Sequence, residues 1–340
     1  MSDSMSPPLS APQAAAQLFA SDNESGLWAQ AARHPALLLI VAAYAILRRY
    51  SAEAIGRAGP WGPRWLARLV ARFFSRLLGF VGAPIVSHDQ PPPPFDASRQ
   101  HVVVWHPHGA YSTMAPMHCG QLSVTAQPLT WYPGVAPVLF QVPLLREALL
   151  LLNARSVTGK VVERLAAAGL NVGVQPGGIP EQLQSDHRRE IAFFAPKLGF
   201  IRLAMRHGAP LLPAYIFGEN QAYTTSDLGR RLSHGAHRYL GMPFVPVLGK
   251  WYLPWLVPKP TQIHVRWGAP VPVGPPNDDP TDAEVEAVYE AYVAELLRVF
   301  DKHKDACLPP DVAARGLTIV KRERRKKDFT TGVAAVASKL

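Results

Sequence analysis

The nonapeptide His101-Val102-Val103-Val104-Trp105-His106-Pro107-His108-Gly109 decides how this chain is read. A short apolar, β-branched run reads as a buried strand. This one ends in two histidines, a proline and a glycine. In open α/β sheets the carboxyl ends of strands are where ligands collect. Pro107 lacks an N–H and fixes its own φ, while Gly109 tolerates dihedrals closed to other residues. Together they predict an abrupt strand end with both imidazoles at its mouth. An imidazole titrates near neutral pH and can take a proton from a hydroxyl. The plain alternative is a turn with two solvated histidines.

A second strand enters a glycine-rich turn at Val172-Gly173-Val174-Gln175-Pro176-Gly177-Gly178-Ile179-Pro180-Glu181. Adjacent glycines let successive N–H groups converge on an anion, or on the oxyanion of an acyl-transfer intermediate. Glu181 is placed to orient an imidazole. A third block runs from Phe194 to Tyr223. It holds Lys197, Arg202 and Arg206 near helical spacing, which suits an acidic ligand such as a phosphate, or else a solvated helix face. Gly199 and Phe200 open its helix, and Glu219 and Asn220 close its strand.

Working outward, strands at 101–105, 171–175, 211–217 and 262–267 alternate with helices near 143–153, 158–169, 199–207 and 282–300. That alternation predicts an α/β fold with a mostly parallel sheet flanked by helices. Four segments are expected: a disordered 1–26, a membrane-associated helical region over 27–90, a catalytic domain over 98–305, and a basic flexible tail over 306–340. Pro91 to Pro94 form a stiff spacer before the domain.

The chain has 340 residues, 48 % of them hydrophobic and only 18 % charged, with a net charge of +10. Its pI is about 9.7 and its mean hydropathy +0.01. An apolar body with a basic surface suits an anionic membrane face. No zinc-finger, RNP or helix-turn-helix pattern argues for nucleic acid. Cys119 and Cys307 cannot build a disulfide framework. Residues 1–26 do not read as a secretory leader. The apolar run from Pro35 to Leu47 is shorter than the ~20 residues a spanning helix needs, so a re-entrant or interfacial helix is expected, with a single span as the alternative. Arg64, Arg68, Arg72 and Arg76 recur every four residues, with Trp65, Leu69, Phe73 and Leu77 among the apolar residues between them. That is the pattern of a helix lying in the headgroup plane.

The motifs His106-Pro107-His108-Gly109, Tyr132-Pro133-Gly134, Phe140…Pro143…Arg146-Glu147, Gly177-Gly178…Glu181 and Lys197-Leu198-Gly199-Phe200 through Phe217-Gly218-Glu219-Asn220…Tyr223 resemble, in order and spacing, the diacylglycerol acyltransferase type 2 family. That family includes monoacylglycerol acyltransferases and wax synthases. The resemblance covers roughly residues 98–300. It implies transfer of a fatty acyl group from acyl-CoA, a co-substrate, to a lipid alcohol at a membrane. Diacylglycerol is the first expected acceptor, with a fatty alcohol or monoacylglycerol as alternatives. It marks His106, His108 and Glu181 as catalytic. Pro107, Gly109, Gly177, Gly178, Lys197, Gly199, Phe200, Arg206, Glu219 and Asn220 become substrate-binding candidates. The chain departs from the family in its short N-terminal apolar segment, in Leu198 before the Gly-Phe pair, and in Pro180 before Glu181. Related glycerolipid acyltransferases carry an aspartate five residues after the histidine. Here Tyr111 and Thr113 stand at those positions, so a carboxylate partner must come from elsewhere.

His108 is the favoured base. The reading requires the histidines beside the paired glycines, with an apolar cavity joining them. Two other classes compete. One is a metal hydrolase using His101, His106, His108 and His118, with Cys119 nearby. The other is a non-catalytic membrane-binding module built on the arginine helix. No cofactor and no structural metal are expected. The family resemblance points to the endoplasmic reticulum and lipid droplets, while the terminal Ser338-Lys339-Leu340 matches a peroxisomal import signal.

Overall fold

The computed structural model describes residues 35–110, 122–124, 129–240, 244–253 and 257–322. The chain divides into two units, residues 1–53 and 54–340. The described part of the first unit is helix α1 (Pro35–Ala54), seven residues longer than the apolar run from Pro35 to Leu47 and carrying Arg48, Arg49 and Glu53 in its last turns. Among the described residues no helix is long and apolar enough to cross a membrane.

The second unit begins with α2 (Arg64–Val81). Strands β1 (Ile85–His88), β2 (Val102–His106) and β3 (Tyr132–Val135) follow, then α3 (Leu145–Leu151), β4 (Arg155–Ser156) and α4 (Gly159–Ala167). Next come β5 (Val172–Val174), α5 (Gly178–Gln184), β6 (Glu190–Phe194), α6 (Gly199–His207), β7 (Leu211–Phe217) and α7 (Asp227–Leu240). The chain closes with β8 (Ile263–Trp267), α8 (Asp282–Cys307), α9 (Pro310–Ala313) and β9 (Leu317–Lys321). Seven strands form one sheet in the order β1-β8-β7-β2-β5-β3-β4. Pairing is parallel except between β7 and β8. The expected α/β, mostly parallel architecture is present.

Strand β2 sits at the centre and every one of its residues is buried. This is why it reads as a continuous apolar run, without the alternation of a half-exposed strand. Its side chains still alternate between faces. Val102 and Val104 join the core formed with α4, α6 and α8. Val103 and Trp105 join the opposite core with Trp131, Leu212 and Val265. His106, in phase with Val102 and Val104, therefore points into the first core. Its ring lies 5.3 Å from Phe194 and 6.3 Å from Tyr292.

Three boundaries differ from expectation. Strand β1 lies within 27–90 yet pairs with β8, so the sheet starts before the proline run. Helix α8 continues past Phe300 to Cys307, begun by a capping box in which Thr281 and Glu284 exchange hydrogen bonds. The segment after 306, expected within a flexible tail, forms α9 and then β9, which pairs in parallel with β6 over five positions. The alternation Leu317, Ile319 gives β9 an apolar side that packs on the core, and the basic run that begins at Lys321 concealed it.

Candidate active site

The carboxyl end of β2 and the glycine turn after β5 lie side by side, because these strands are parallel neighbours in register from Val102–Val172 to Val104–Val174. The His106–Pro107 peptide bond is cis. Beyond it, the backbone N–H of His108 donates to Glu181 Oε1 at 2.7 Å. The other carboxylate oxygen of Glu181 lies 3.8 Å from His106 Nδ1 and accepts from the Phe193 N–H at 3.4 Å. One buried carboxylate thus bridges both histidine-bearing positions and strand β6.

The paired glycines explain how Glu181 reaches back. Helix α5 starts at Gly178, and Glu181 belongs to its first turn. A Cβ on Gly177 would meet Glu181 Oε2 at 1.8 Å and Glu181 Cβ at 2.6 Å. The glutamate side chain fills the space that any other residue at 177 would need. Gly177 is right-handed and Gly178 has φ +48°, a right-to-left succession that turns consecutive N–H groups toward one point.

The two histidines differ. Both were expected at the mouth of the strand. His106 is instead wholly buried, and neither ring nitrogen has a hydrogen-bond partner among the described residues. His108 alone stays partly exposed. Burial pulls the His108 pKa below the ordinary histidine value, and the charges of Glu181 and Glu219 oppose that without overcoming it. The ring is therefore neutral at neutral pH, the form that accepts a proton. Gly109 takes φ +73°, and a Cβ there would meet the Glu219 side chain at 3.1 Å. Glu219 closes the site from the end of β7.

Behind the site lies a network that sequence reading missed. Buried Glu190 accepts from Tyr215 Oη at 2.7 Å, Asn220 Nδ2 at 2.8 Å and Gln221 Nε2 at 2.8 Å. Its pKa is raised, burial outweighing those three hydrogen bonds. Tyr215 is paired in register with His106 on the neighbouring strand, which ties this network to the histidine–glutamate centre. A run of charge after α5 could have signalled a second cluster: buried Asp186 meets Arg188, Arg189 and Arg230 at 3.0–3.2 Å.

The third block splits. Phe200 packs behind the site, edge-on to Tyr292 with ring centroids 5.7 Å apart and tilted against Phe194 at 6.3 Å. Asn220 joins Glu190, as above. Arg206 is placed elsewhere, in an ion pair with Glu163 of α4 at 2.5 Å. Arg202 is held by the Pro280 carbonyl and Asp282. Lys197 is exposed on the rim of a cavity of about 370 Å³ between α6 and α8, and Gly199 is exposed at the start of α6.

Beside Pro107 and Glu181 the described residues enclose only a small space. It holds about 10 Å³, room for one water, and its lining includes Pro107, Glu181, Asp186, Arg189, Ile191 and Asn220. The metal-hydrolase reading finds no support. His101 lies at the opposite end of β2 from His106, with its Nδ1 on the Arg99 carbonyl at 2.9 Å. His118 and Cys119 fall outside the described residues. Among the described residues no three metal-ligating side chains converge.

An α/β protein with a histidine–glutamate centre at the end of its middle strand is the class that fold and site define. A family model for diacylglycerol acyltransferase matches residues 34–313, and the chain belongs to that family. It is similar to diacylglycerol O-acyltransferase 2 of Bos taurus, 29 % identical over 61 % of this chain and 62 % of that protein. It is also similar to 2-acylglycerol O-acyltransferase 1 of Bos taurus, 30 % identical over 62 % of this chain and 67 % of that one. The match to the human diacylglycerol O-acyltransferase 2 covers 57 % of its length, so the chain spans about three-fifths of these relatives. A solved structure, the 1-acyl-sn-glycerophosphate (LPA) acyltransferase of Thermotoga maritima, has a TM-score of 0.42 at 16 % identity, covering 78 % of this chain and 97 % of that one.

Proposed function

We propose that the protein is a membrane-associated O-acyltransferase that moves a fatty acyl group from acyl-CoA to a lipid alcohol, with diacylglycerol as the first acceptor and triacylglycerol as the product. The observation that carries this is the pair His106 and His108 set about one buried glutamate at the end of β2. Neutral His108 takes the proton of the acceptor hydroxyl. The hydroxyl oxygen forms a bond to the thioester carbonyl carbon, and the oxyanion is stabilised by N–H groups near Gly177 and Gly178. The C–S bond then breaks, and the CoA thiolate takes the proton back from the imidazolium. Glu181 and Glu219 stabilise the charged ring in between. No covalent acyl-enzyme is required. Monoacylglycerol is a second acceptor, favoured by the likeness to a 2-acylglycerol acyltransferase.

The membrane partner is an anionic lipid surface, and helix α2 is the element that supports it. Ala67, Ala71 and Leu78 are the buried face of α2. Trp65, Leu69, Phe73, Leu77 and Phe80 stand exposed beside exposed Arg68, Arg72 and Arg76, Phe80 at 87 %. Small residues inward and aromatics outward invert the order of a helix that only packs on its own domain. The endoplasmic reticulum is the proposed location, and import into peroxisomes through Ser338-Lys339-Leu340 is the alternative.

The test is labelled acyl-CoA supplied to membranes holding the protein, with a panel of alcohols, followed by lipid separation. Labelled triacylglycerol is expected in the wild type, and none in a His108→Ala variant that keeps its folded signature. Equal turnover in that variant refutes the assignment of the base.

A further inference from the structure

A second and larger cavity lies on the same side of the sheet as the histidines. It holds about 550 Å³ between the end of β7, the start of β8 and the end of α8. This is within the range of cavities that take a cofactor-sized ligand. Its wall includes His187, Arg188, Lys259, His264 and Gln221, with Asp311 as its one acidic residue. Asp311 is exposed at the surface, whereas Lys259 is partly buried. Lys259 makes no ion pair among the described residues, and burial alone pulls its pKa below the ordinary lysine value. His187 is likewise lowered, first by burial and then by the charge of Lys259, with Arg188 and Arg230 adding to it against Asp186. A half-desolvated ammonium without a counter-ion is costly unless an anion joins it.

The cavity at Lys197 does not pose that demand. There Arg202 pairs with Asp282 and Lys321 with Glu286, and Lys197 itself is solvated. Of the basic residues that sequence reading assigned to an acidic ligand, Arg202 and Arg206 are already neutralised and Lys197 is exposed to water, whereas Lys259 is both unpaired and partly buried.

The larger cavity is also wired to the reaction centre. Gly218 is in its wall, and the next residue, Glu219, packs on Gly109 beside His108. A Cβ on Gly218 would fall 2.2 Å from the Gln262 carbonyl oxygen, so this turn closes only with glycine there. Gln221, in the same wall, binds Glu190 and the His187 carbonyl. His264 is held in place by Ser87 Oγ on Nδ1 at 2.8 Å.

We propose that this cavity is an anion subsite for a phosphate ester, and that its occupant is the phosphate-bearing end of the acyl-CoA donor. Lys259 supplies the charge, with His187, Arg188 and His264 around it, while the thioester end reaches the turn at Glu219 and His108. The proposal rests on the acyl-CoA reading above.

The test uses the purified full chain in detergent micelles and three variants, Lys259→Ala, Lys259→Glu and Lys259→Arg. Titration with free CoA reads binding without any need for turnover. Lys259→Ala is expected to weaken CoA binding, and to raise the KM for acyl-CoA, by about tenfold, with kcat within twofold of wild type. Lys259→Glu weakens both further, and Lys259→Arg restores most of the affinity. Matching melting temperatures confirm intact folds. Unchanged CoA binding in Lys259→Glu overturns the proposal. So does a loss confined to binding of vesicles rich in phosphatidic acid, which assigns the cavity to a lipid phosphate. If CoA binds through Lys259 but no alcohol is acylated, the subsite stands and the acyltransferase reading fails.

Discussion

Replacing Glu181 by glutamine separates the charge of this residue from its role as a peg. The carboxylate accepts the His108 N–H at 2.7 Å and lies 3.8 Å from His106 Nδ1. A glutamine of nearly equal size keeps one carbonyl oxygen for the His108 N–H but turns its NH2 toward the Phe193 N–H, so the fold should lose about 1–3 kcal/mol. The charge is another matter. A positive imidazole 3.8 Å from a carboxylate gains about 4 kcal/mol at an effective dielectric constant of ~20. Whichever ring takes the proton, the developing cation faces Glu181, since the same carboxylate also raises the His108 pKa. Losing that interaction in the transition state corresponds to a fall in kcat of about a thousandfold at most, and about a hundredfold after solvent screening. The pH profile adds a second reading. His108 already lies below the ordinary histidine value, and removing a negative neighbour lowers it further. The acid limb of kcat/KM should therefore move to lower pH. The assay is initial-rate transfer of labelled acyl groups across pH 5–8, with thermal melting as the folding control. A folded Glu181→Gln protein that keeps its kcat and acid limb would refute the electrostatic role.

Gly177→Ala should evict the Glu181 side chain, because the added methyl group falls 1.8 Å from Oε2 and 2.6 Å from its Cβ. A loss of about 2–3 kcal/mol in urea unfolding is expected, with loss of transfer activity, and neutrality in both would contradict the packing described here. Burial works to raise the Asp186 pKa, but hydrogen bonds from Arg188 and the charges of Arg230 and Arg188 win and hold it at about 2. Its folded value lies below its unfolded one, so its stabilisation is complete above about pH 4 and is lost as pH falls toward 2. Stability measured from pH 5 to 2 should fall more steeply in wild type than in Asp186→Asn, and parallel curves would exclude this cluster from acid unfolding. Changing Arg68, Arg72 and Arg76 to glutamine should reduce partitioning onto anionic vesicles by about a hundredfold, at about 1 kcal/mol per arginine, and flotation that ignores the change would remove α2 from the membrane contact.

Local pattern was legible where one physical rule dominated. The continuous apolar run Leu211–Phe217 predicts a strand buried on both faces, and the observed strand has the same ends. Helix α6 spans the 199–207 that the sequence predicts, and Gly208 caps it in the left-handed conformation. The pairing of the His106–His108 turn with Glu181 was legible as motif chemistry, because two parallel strands must deliver their ends to the same edge. What stayed hidden depends on partners distant in sequence. Spacing alone does not reveal that Arg206 is committed to Glu163, 43 positions away, or that Glu190 collects three donors from beyond residue 214. The phase of β2 was readable in principle, since His106 follows Val102 and Val104 at even spacing. The unusual turn after it drew attention away from that alternation, and the ring was expected outside.

The short ribbon of β6 and β9 has a practical corollary. Leu317–Lys321 zips along Glu190–Phe194, the segment that presents the Phe193 amide to Glu181 and the Glu190 carboxylate to Tyr215. Trimming the polypeptide at Gly316 would strip that backbone of five rungs and leave a raw edge directly behind the chemistry, whereas an appendage joined after Arg322 leaves every rung in place. Shortened versions of this protein should therefore be cut beyond position 322.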